Sequence, residues 1–173
     1  MVTILSQRIC FNPIGVIHTN ATIEEIKNSY FGVKGVIEIF PEYEEGLDGI
    51  DGFSHIIVIA YLHLTKPEHR KVLRVRHRRL RRFGIKIDDL PEVGVFCTDS
   101  PHRPNPIALS ILRLINRRKR FLYVDGLDLF DGTPVLDIKA YTPDRCICDV
   151  NVPDWLNIIR ERVRTVFGDV KWV

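Results

Sequence analysis

Three prolines close together, in SPHRPNPIALS at residues 100–110, restrict the chain more than any other feature of the sequence. Pro101, Pro104 and Pro106 each fix φ and remove a backbone donor, and each restrains the preceding residue to extended conformations. Neither a helix nor a central strand can continue through such a stretch. We therefore predict a rigid loop. It either connects two strands or forms a preorganised wall of a binding site, since stiffness lowers the entropy lost on binding.

The length of 173 residues and the 45% hydrophobic content are typical of one domain with a core of ordinary size. No run reaches the roughly 18 to 20 apolar residues of a membrane span. The N-terminal segment, MVTILSQRICFNP, has no basic region ahead of a long apolar stretch, so it does not resemble a signal peptide. We expect a cytoplasmic protein that does not associate with membranes.

The four cysteines, Cys10, Cys97, Cys146 and Cys148, are too few and too scattered for a disulfide framework. The pair Cys146-x-Cys148 lacks the spacing of a zinc knuckle, and no second pair completes a ligand set. We expect four reduced thiols, with Cys97 a buried small side chain, and no metal site.

The positive charge is concentrated in one block, residues 66–82, with nine Lys or Arg against one Glu. This block carries +8, so the rest of a chain of net charge +3 carries −5. A solvated helix normally interleaves both signs, and a block of one sign repels itself unless an anionic partner relieves it. Nucleic acid is the partner we favour over a solubilising face. The predicted RNA-binding residues are Arg74, Arg76, Arg78, Arg79, Arg81 and Arg82.

Short segments rich in β-branched residues and bounded by turn residues predict strands along most of the chain. They are residues 13–19, 35–40, 53–63, 93–98, 107–115, 120–130 and 134–141. Asp-Gly is a strong hairpin signal and occurs four times. The segment DLFDGTPVLDI therefore predicts two strands joined by a tight turn at Asp131-Gly132.

Helical signals lie near the two ends. Thr22 and Glu25 form a capping box for a short helix, and Pro153-Asp154 precedes an apolar face of a C-terminal helix. That face consists of Trp155, Ile158, Ile159 and Val163. Six or seven strands with few helices favour a β-barrel or a β-sandwich. No Rossmann fingerprint, P-loop, H-E-x-x-H or G-x-S-x-G is present.

Five motifs in fixed order carry a family resemblance: IGVIHT, IEIFPEYEEGLDGI, DGFSHIIVIAYLH, GVFCTDSPHRPNPIALS and LDLFDGTPVLDIKAY. Together they resemble the TsaA-like (TrmO/YaeB) family. The resemblance extends from about residue 14 to residue 143. It implies that the chain, 1–173, is one domain with a helical appendage at 153–173. It implies a mainly β, single-sheet barrel and a homodimeric, S-adenosylmethionine-dependent methyltransferase. The implied substrate is N6-threonylcarbamoyladenosine beside the anticodon of tRNA.

The resemblance also implies a cofactor site built from the end of the FSH strand, the proline-rich loop and the DGTP turn. The residues carried over are His63, Leu64, Asp99, Ser100, Arg103, Pro104, Asn105, Pro106, Leu109, Asp128, Phe130, Asp131, Gly132 and Thr133. Arg103 suits the carboxylate of the cofactor because its planar fork can pair bidentately. Asp128 or Asp131 suits the ammonium group or the ribose hydroxyls, while the prolines and Leu109 offer apolar surface to the adenine. The candidates for a general base are His63, Asp99 and Asp131.

Two positions depart from the family pattern. Residues 19–34 contain neither Pro nor Arg where the family commonly has Pro-Arg-Gln, and Asp99 stands where the family usually has arginine. Two alternatives therefore stay open. One is a methyltransferase of the same fold that acts on a small molecule or another RNA, and the other is an RNA-binding barrel without catalysis.

Overall fold

Strands and short 3₁₀ turns are the main regular elements of the computed structural model, which describes residues 9–169. The strands are β1 (Gly15–His18), β2 (Val33–Ile39), β3 (His55–Tyr61), β4 (Arg74–Val75), β5 (Val93–Gly94), β6 (Ile107–Arg118), β7 (Phe121–Leu127) and β8 (Pro134–Ala140). The helices are α1 (Ile23–Asn28) and α2 (Asp154–Phe167).

Six strands form one closed barrel in the order β1-β2-β7-β6-β3-β8, with every neighbouring pair antiparallel. Alternate residues of each strand point inward, so Ile56, Val58 and Ala60 of β3 are fully buried, as are Leu112 of β6 and Val135 of β8. Closure leaves no unpaired sheet edge. The predicted single-sheet barrel is confirmed.

The hairpin predicted at Asp131-Gly132 is wrong. β7 pairs with β2 and β6, whereas β8 pairs with β1 and β3, so the two strands are not neighbours. Strand β7 ends at Leu127, after Gly126 with its positive φ of 83°. Residues 128–133 then cross the end of the barrel. Gly132 adopts a positive φ of 74°, as the Asp-Gly pair predicts, but the turn connects strands that pair with others.

The strand predicted at residues 93–98 is also mostly wrong. Only Val93–Gly94 is extended, and it pairs with β4 outside the barrel. The chain then makes a 3₁₀ turn at Val95–Cys97, closed by a bond from the Thr98 amide to the Val95 carbonyl. Cys97 is exposed on this turn, contrary to its predicted burial.

Both predicted helices are present, and α1 has the predicted capping box between Thr22 and Glu25. Helix α2 contributes Ile159 and Val163 to an apolar cluster that is separate from the barrel core. Ile85, Ile87 and Leu90 are also buried in this cluster. Ile158, predicted on the same face, is instead exposed.

An ion pair also holds α2. The Arg162 guanidinium donates to both oxygens of Asp89, at 2.9 and 2.6 Å, and keeps the pKa of that carboxyl at about 2. Residues 170–173 of the predicted appendage lie outside the described residues. Among residues 9–169, no helix is long and apolar enough to cross a bilayer.

Candidate functional site

The segments predicted to bind cofactor or RNA lie at one end of the barrel. Because neighbouring strands are antiparallel, β1, β3 and β7 end there and β2, β6 and β8 begin there. Three connections therefore meet at this end: residues 19–32, residues 62–106, and residues 128–133. The long connection contains both the basic block and the proline-rich loop.

The proline-rich loop is fastened to the end of β3. The Leu62 amide donates to the Pro106 carbonyl at 2.8 Å, which extends the pairing of β3 with β6. The Thr65 hydroxyl donates to the Pro101 carbonyl at 3.3 Å. The Arg103 side chain is half-buried, and its Nη2 donates to the Val95 carbonyl at 3.4 Å. The loop is thus braced at both ends, as a preorganised wall requires.

The 128–133 connection is fastened to two other strands. Ser110, on β6, donates from its hydroxyl to Asp128 Oδ1 at 2.7 Å. The Thr19 amide, just past β1, donates to Asp131 Oδ1 at 3.0 Å. The Gly132 amide donates to the Ile17 carbonyl at 2.9 Å. These bonds hold two carboxylates at fixed positions on the barrel end.

The structure brings the predicted cofactor residues together at this end, on three neighbouring elements. His63 and Leu64 follow β3, residues 99–106 form the braced loop before β6, and residues 128–133 lead into β8. Four exposed apolar side chains lie within these segments or within a few residues of them. They are Phe96 at 76%, Leu109 at 64%, Leu64 at 52% and Ile107 at 38%. The barrel end therefore combines an arginine, two carboxylates and an uncovered apolar surface.

Two buried polar residues that position this site, Thr65 and Ser110, were not predicted from the sequence, whereas Thr133 was. Among the described residues, the buried polar side chains are Thr65, Ser110 and Thr133. All three lie at the same end of the barrel. Burying a hydroxyl is costly unless it is hydrogen-bonded. These buried residues therefore indicate that hydrogen-bonding partners are positioned at this end. Ser110 could have been noticed, because the next inward positions of the same strand, Leu112 and Leu114, are apolar.

The three candidates for a general base differ in their surroundings. Asp131 is held by the Thr19 amide, which gives it a positioning role on the loop. His63 is half-buried just past β3, and Asp99 is exposed ahead of the proline-rich loop. Among the hydrogen bonds of residues 9–169 described above, none holds the side chain of His63 or Asp99, so these two remain the candidates for a general base.

The basic block is partly neutralised within the chain. Glu92 lies 3.6 Å from Arg74 and 3.7 Å from Arg76, and Asp88 pairs with Arg81. The self-repulsion inferred from the sequence is therefore relieved in part by acidic residues that follow the block.

Two arginines of the block hold α1 in place. The Arg82 guanidinium donates to Glu24 and Asn28 at 2.9 Å each, and the Arg79 Nη2 donates to the Ser29 carbonyl at 2.8 Å. Arg79 and Arg82 thus have structural contacts in addition to their charge.

The other arginines leave a cationic cavity. Arg76, Arg78 and Arg81 line a surface cavity of about 310 Å³ together with Ile87. The block also reaches the proline-rich loop, because the rings of His69 and His102 stack with centroids 3.9 Å apart. This stacking joins the predicted RNA-binding and cofactor-binding segments. His69 and His102 were not among the predicted site residues.

No metal centre is apparent in this region. Within residues 9–169, no group of three or more His, Cys, Asp or Glu side chains comes together as a ligand set.

Comparison with protein families gives one match. The family model described as the tRNA-methyltransferase O N-terminal domain covers residues 22–146. This range contains the long connection, the proline-rich loop and the 128–133 connection.

Curated relatives are similar over most of the chain. A probable S-adenosyl-L-methionine-binding protein of Pyrococcus abyssi is 37% identical over 82% of this chain and 72% of its own length. A protein of the same description from Methanothermobacter thermautotrophicus is 38% identical over 76% of this chain and 89% of its own.

Solved structures show the same fold. The crystal structure of TrmO from Pseudomonas aeruginosa matches with a TM-score of 0.61 and 28% identity, over 84% of this chain and 61% of that one. A second TrmO crystal structure matches with a TM-score of 0.62 and 29% identity, over 84% and 64%. This chain thus spans about three fifths of the solved TrmO chains.

Proposed function

The chain belongs to the family of the tRNA-methyltransferase O N-terminal domain, and we propose that it is an S-adenosylmethionine-dependent tRNA methyltransferase. The proposed reaction is N6-methylation of threonylcarbamoyladenosine beside the anticodon, which also implies action in the cytoplasm. The observation that carries the proposal is the convergence of the proline-rich loop, the end of β3 and residues 128–133 on one end of the barrel, within the matched range.

The chemistry of this barrel end fits the cofactor. S-adenosylmethionine, when bound, supplies a methyl group on a sulfonium, beside a carboxylate, an ammonium group and an adenosine. Arg103 would hold the carboxylate, because its planar guanidinium can pair with it bidentately. Asp128 and Asp131 each keep a second oxygen that can accept from the ammonium group or the ribose hydroxyls. Leu109 and the prolines of the loop would offer apolar surface to the adenine.

The acceptor needs help from this chain because the N6 lone pair of the carbamoylated adenine is delocalised into the carbonyl. His63 and Asp99 are the groups that can take the N6 proton or hold the deprotonated nitrogen. The rest of the site aligns the acceptor with the methyl carbon, since in-line positioning supplies much of the rate of such a transfer.

The basic block holds the RNA. Arg76, Arg78 and Arg81 bind backbone phosphates at the cationic cavity, while Arg79 and Arg82 chiefly hold α1. The His69–His102 stacking keeps this surface beside the cofactor loop, so one bound tRNA can reach both.

A homodimer completes the site. The exposed Phe96 and Ile107, which are not among the predicted cofactor residues, offer apolar surface that a second copy would cover. Residues 19–34 lack the family's cofactor-contacting triplet, which leaves room for a partner subunit to contribute. Two-fold pairing is the commonest oligomeric arrangement.

The proposed reaction is tested by mass spectrometry of tRNA nucleosides from cells with and without the gene. We expect N6-methyl-threonylcarbamoyladenosine to disappear in the deletion and return with the wild-type gene, but not with a gene encoding Arg103→Ala. Loss of a different methylated nucleoside would instead indicate another RNA target. An unchanged nucleoside profile, with tRNA still bound by the protein, would support a non-catalytic RNA-binding barrel.

A further inference from the structure

Two cysteines lie side by side between β8 and α2. The sulfur atoms of Cys146 and Cys148 are 3.7 Å apart, and both side chains are exposed. Closing a disulfide requires the sulfurs to approach to about 2.05 Å. Every residue from 143 to 151 is exposed, so little packing opposes this adjustment and a dissolved reagent can reach both thiols.

The two thiols have sequence neighbours of opposite charge. Arg145 directly precedes Cys146, whereas Asp149 directly follows Cys148. A hydrogen bond with the Cys146 sulfur raises the pKa of the Cys148 thiol. Because the thiolate is the nucleophile and the pKa of Cys148 is raised, we assign Cys146 as the sulfur that reacts first and Cys148 as the one that resolves.

We propose that Cys146 and Cys148 form a redox modification site that closes to a disulfide on reaction with a low-molecular-weight disulfide such as oxidised glutathione. The Cys146 thiolate attacks one sulfur of the small disulfide, which forms a mixed disulfide and releases one small thiolate. Cys148 loses its proton to solvent and attacks the Cys146 sulfur, which releases the second. Two protein thiols are thereby oxidised to one disulfide while one small disulfide is reduced to two thiols.

Cys10 and Cys97 serve as internal comparators. Both are exposed, but among the described residues neither is in contact with another thiol. Each can therefore carry a stable mixed disulfide, whereas an adduct on Cys146 is displaced by Cys148 at high effective concentration.

The first test treats the reduced full-length chain with oxidised glutathione, quenches with acid and maps the peptides by mass spectrometry. We expect the peptide containing residues 146–148 to lose the mass of two hydrogen atoms and to carry no glutathione. Cys148→Ser should retain a glutathione adduct on Cys146, and Cys97→Ser should leave formation of the Cys146–Cys148 disulfide unchanged. Stable glutathione adducts on Cys146 or Cys148 of the wild-type chain would overturn the proposal.

A second test measures the same proximity without oxidation. Phenylarsine oxide bridges two neighbouring thiols, so the wild-type chain should bind it at this pair. Cys146→Ser and Cys148→Ser should each weaken binding at least about tenfold, because a single thiol loses the chelate advantage. Cys97→Ser is the matched control. Equal binding by Cys148→Ser and the wild-type chain would contradict the proposal.

Discussion

Ser110 donates a 2.7 Å hydrogen bond from inside the barrel to the carboxylate of Asp128. The serine is buried and the aspartate exposed, so the bond links an inward position of β6 to the surface loop that follows β7. It fixes one carboxylate of the proposed cofactor site through a residue that does not itself face the cofactor.

Replacing this serine tests that link. Ser110→Ala should weaken S-adenosylmethionine binding by about 1 kcal/mol, several-fold in affinity, because Asp128 loses the bond that orients it. Titration calorimetry measures the effect. Ser54→Ala is the control, since Ser54 bonds His55 at the opposite end of the barrel. Equal affinities for Ser110→Ala and the wild-type chain would show that Asp128 is not positioned by Ser110.

Local signals were sufficient for the two helices and the barrel strands, but not for residues 93–98, where only Val93–Gly94 is extended. The capping box at Thr22 and Glu25 predicted α1, and the spacing of Ile159 and Val163 predicted the buried face of α2. The family resemblance predicted the barrel, which is confirmed, and the location of the cofactor site, which stays a prediction. These features depend on residues close in sequence or on motifs quoted as they stand.

Long-range pairing was not accessible from such signals. Asp131-Gly132 predicted a turn correctly, because Gly132 does adopt a positive φ, but a turn does not state which strands pair. The partners of the arginines were hidden for the same reason, since Glu24 lies 58 residues from Arg82. Ser110 and Asp128 likewise meet only once the barrel closes.

The RNA-binding role of the basic block is tested by reversing the charge of two arginines that make no contact with α1. Arg76→Glu with Arg78→Glu should nearly abolish tRNA binding and leave cofactor affinity unchanged, because phosphate contacts supply much of the affinity. Filter binding at several salt concentrations measures this, and wild-type affinity should fall steeply with salt.

The matched control reverses Arg113 and Arg160, two exposed arginines elsewhere, and should change tRNA binding little. A wild-type chain that fails to retain tRNA at low salt would show that the block is only a solvated face. Reversal of Arg79 and Arg82 should instead lower stability, because these side chains hold α1.

Burial lowers the pKa of His77, which stacks on Trp155 of α2 with centroids 5.1 Å apart. The Nε2 atom of His77 is buried without a hydrogen-bond partner in the described structure. His77 binds a proton less readily in the folded chain than in the unfolded chain. The contribution of neutral His77 to the free energy of unfolding is therefore full above the ordinary histidine pKa and is lost as the pH falls below it.

The variant His77→Phe keeps a ring on Trp155 and removes the titration. We expect the free energy of unfolding, measured by urea denaturation, to decline less between about pH 7 and about pH 5 than in the wild-type chain. His102, whose pKa is also lowered by burial and by His69, accounts for part of the remaining slope. Identical slopes for the two proteins would exclude His77 as a source of acid sensitivity.

The proposed dimer is tested by light scattering. The wild-type chain should give twice its chain mass of 20.0 kDa, and Phe96→Asp should shift the protein towards monomer and weaken cofactor binding. Phe53→Asp, at the opposite end of the barrel, is the control. A wild-type monomer that still binds S-adenosylmethionine tightly would contradict a site completed by a second subunit.

The proposed function is tested most directly by a calorimetric titration of S-adenosylmethionine into the purified wild-type chain and into Arg103→Ala. We predict micromolar-range binding by the wild-type chain and at least about tenfold weaker binding by the variant, because a bidentate charged pair is lost. Arg113→Ala, an exposed arginine further along β6, should bind as the wild-type chain does. No binding of S-adenosylmethionine by the wild-type chain would contradict the assignment of this protein as a methyltransferase.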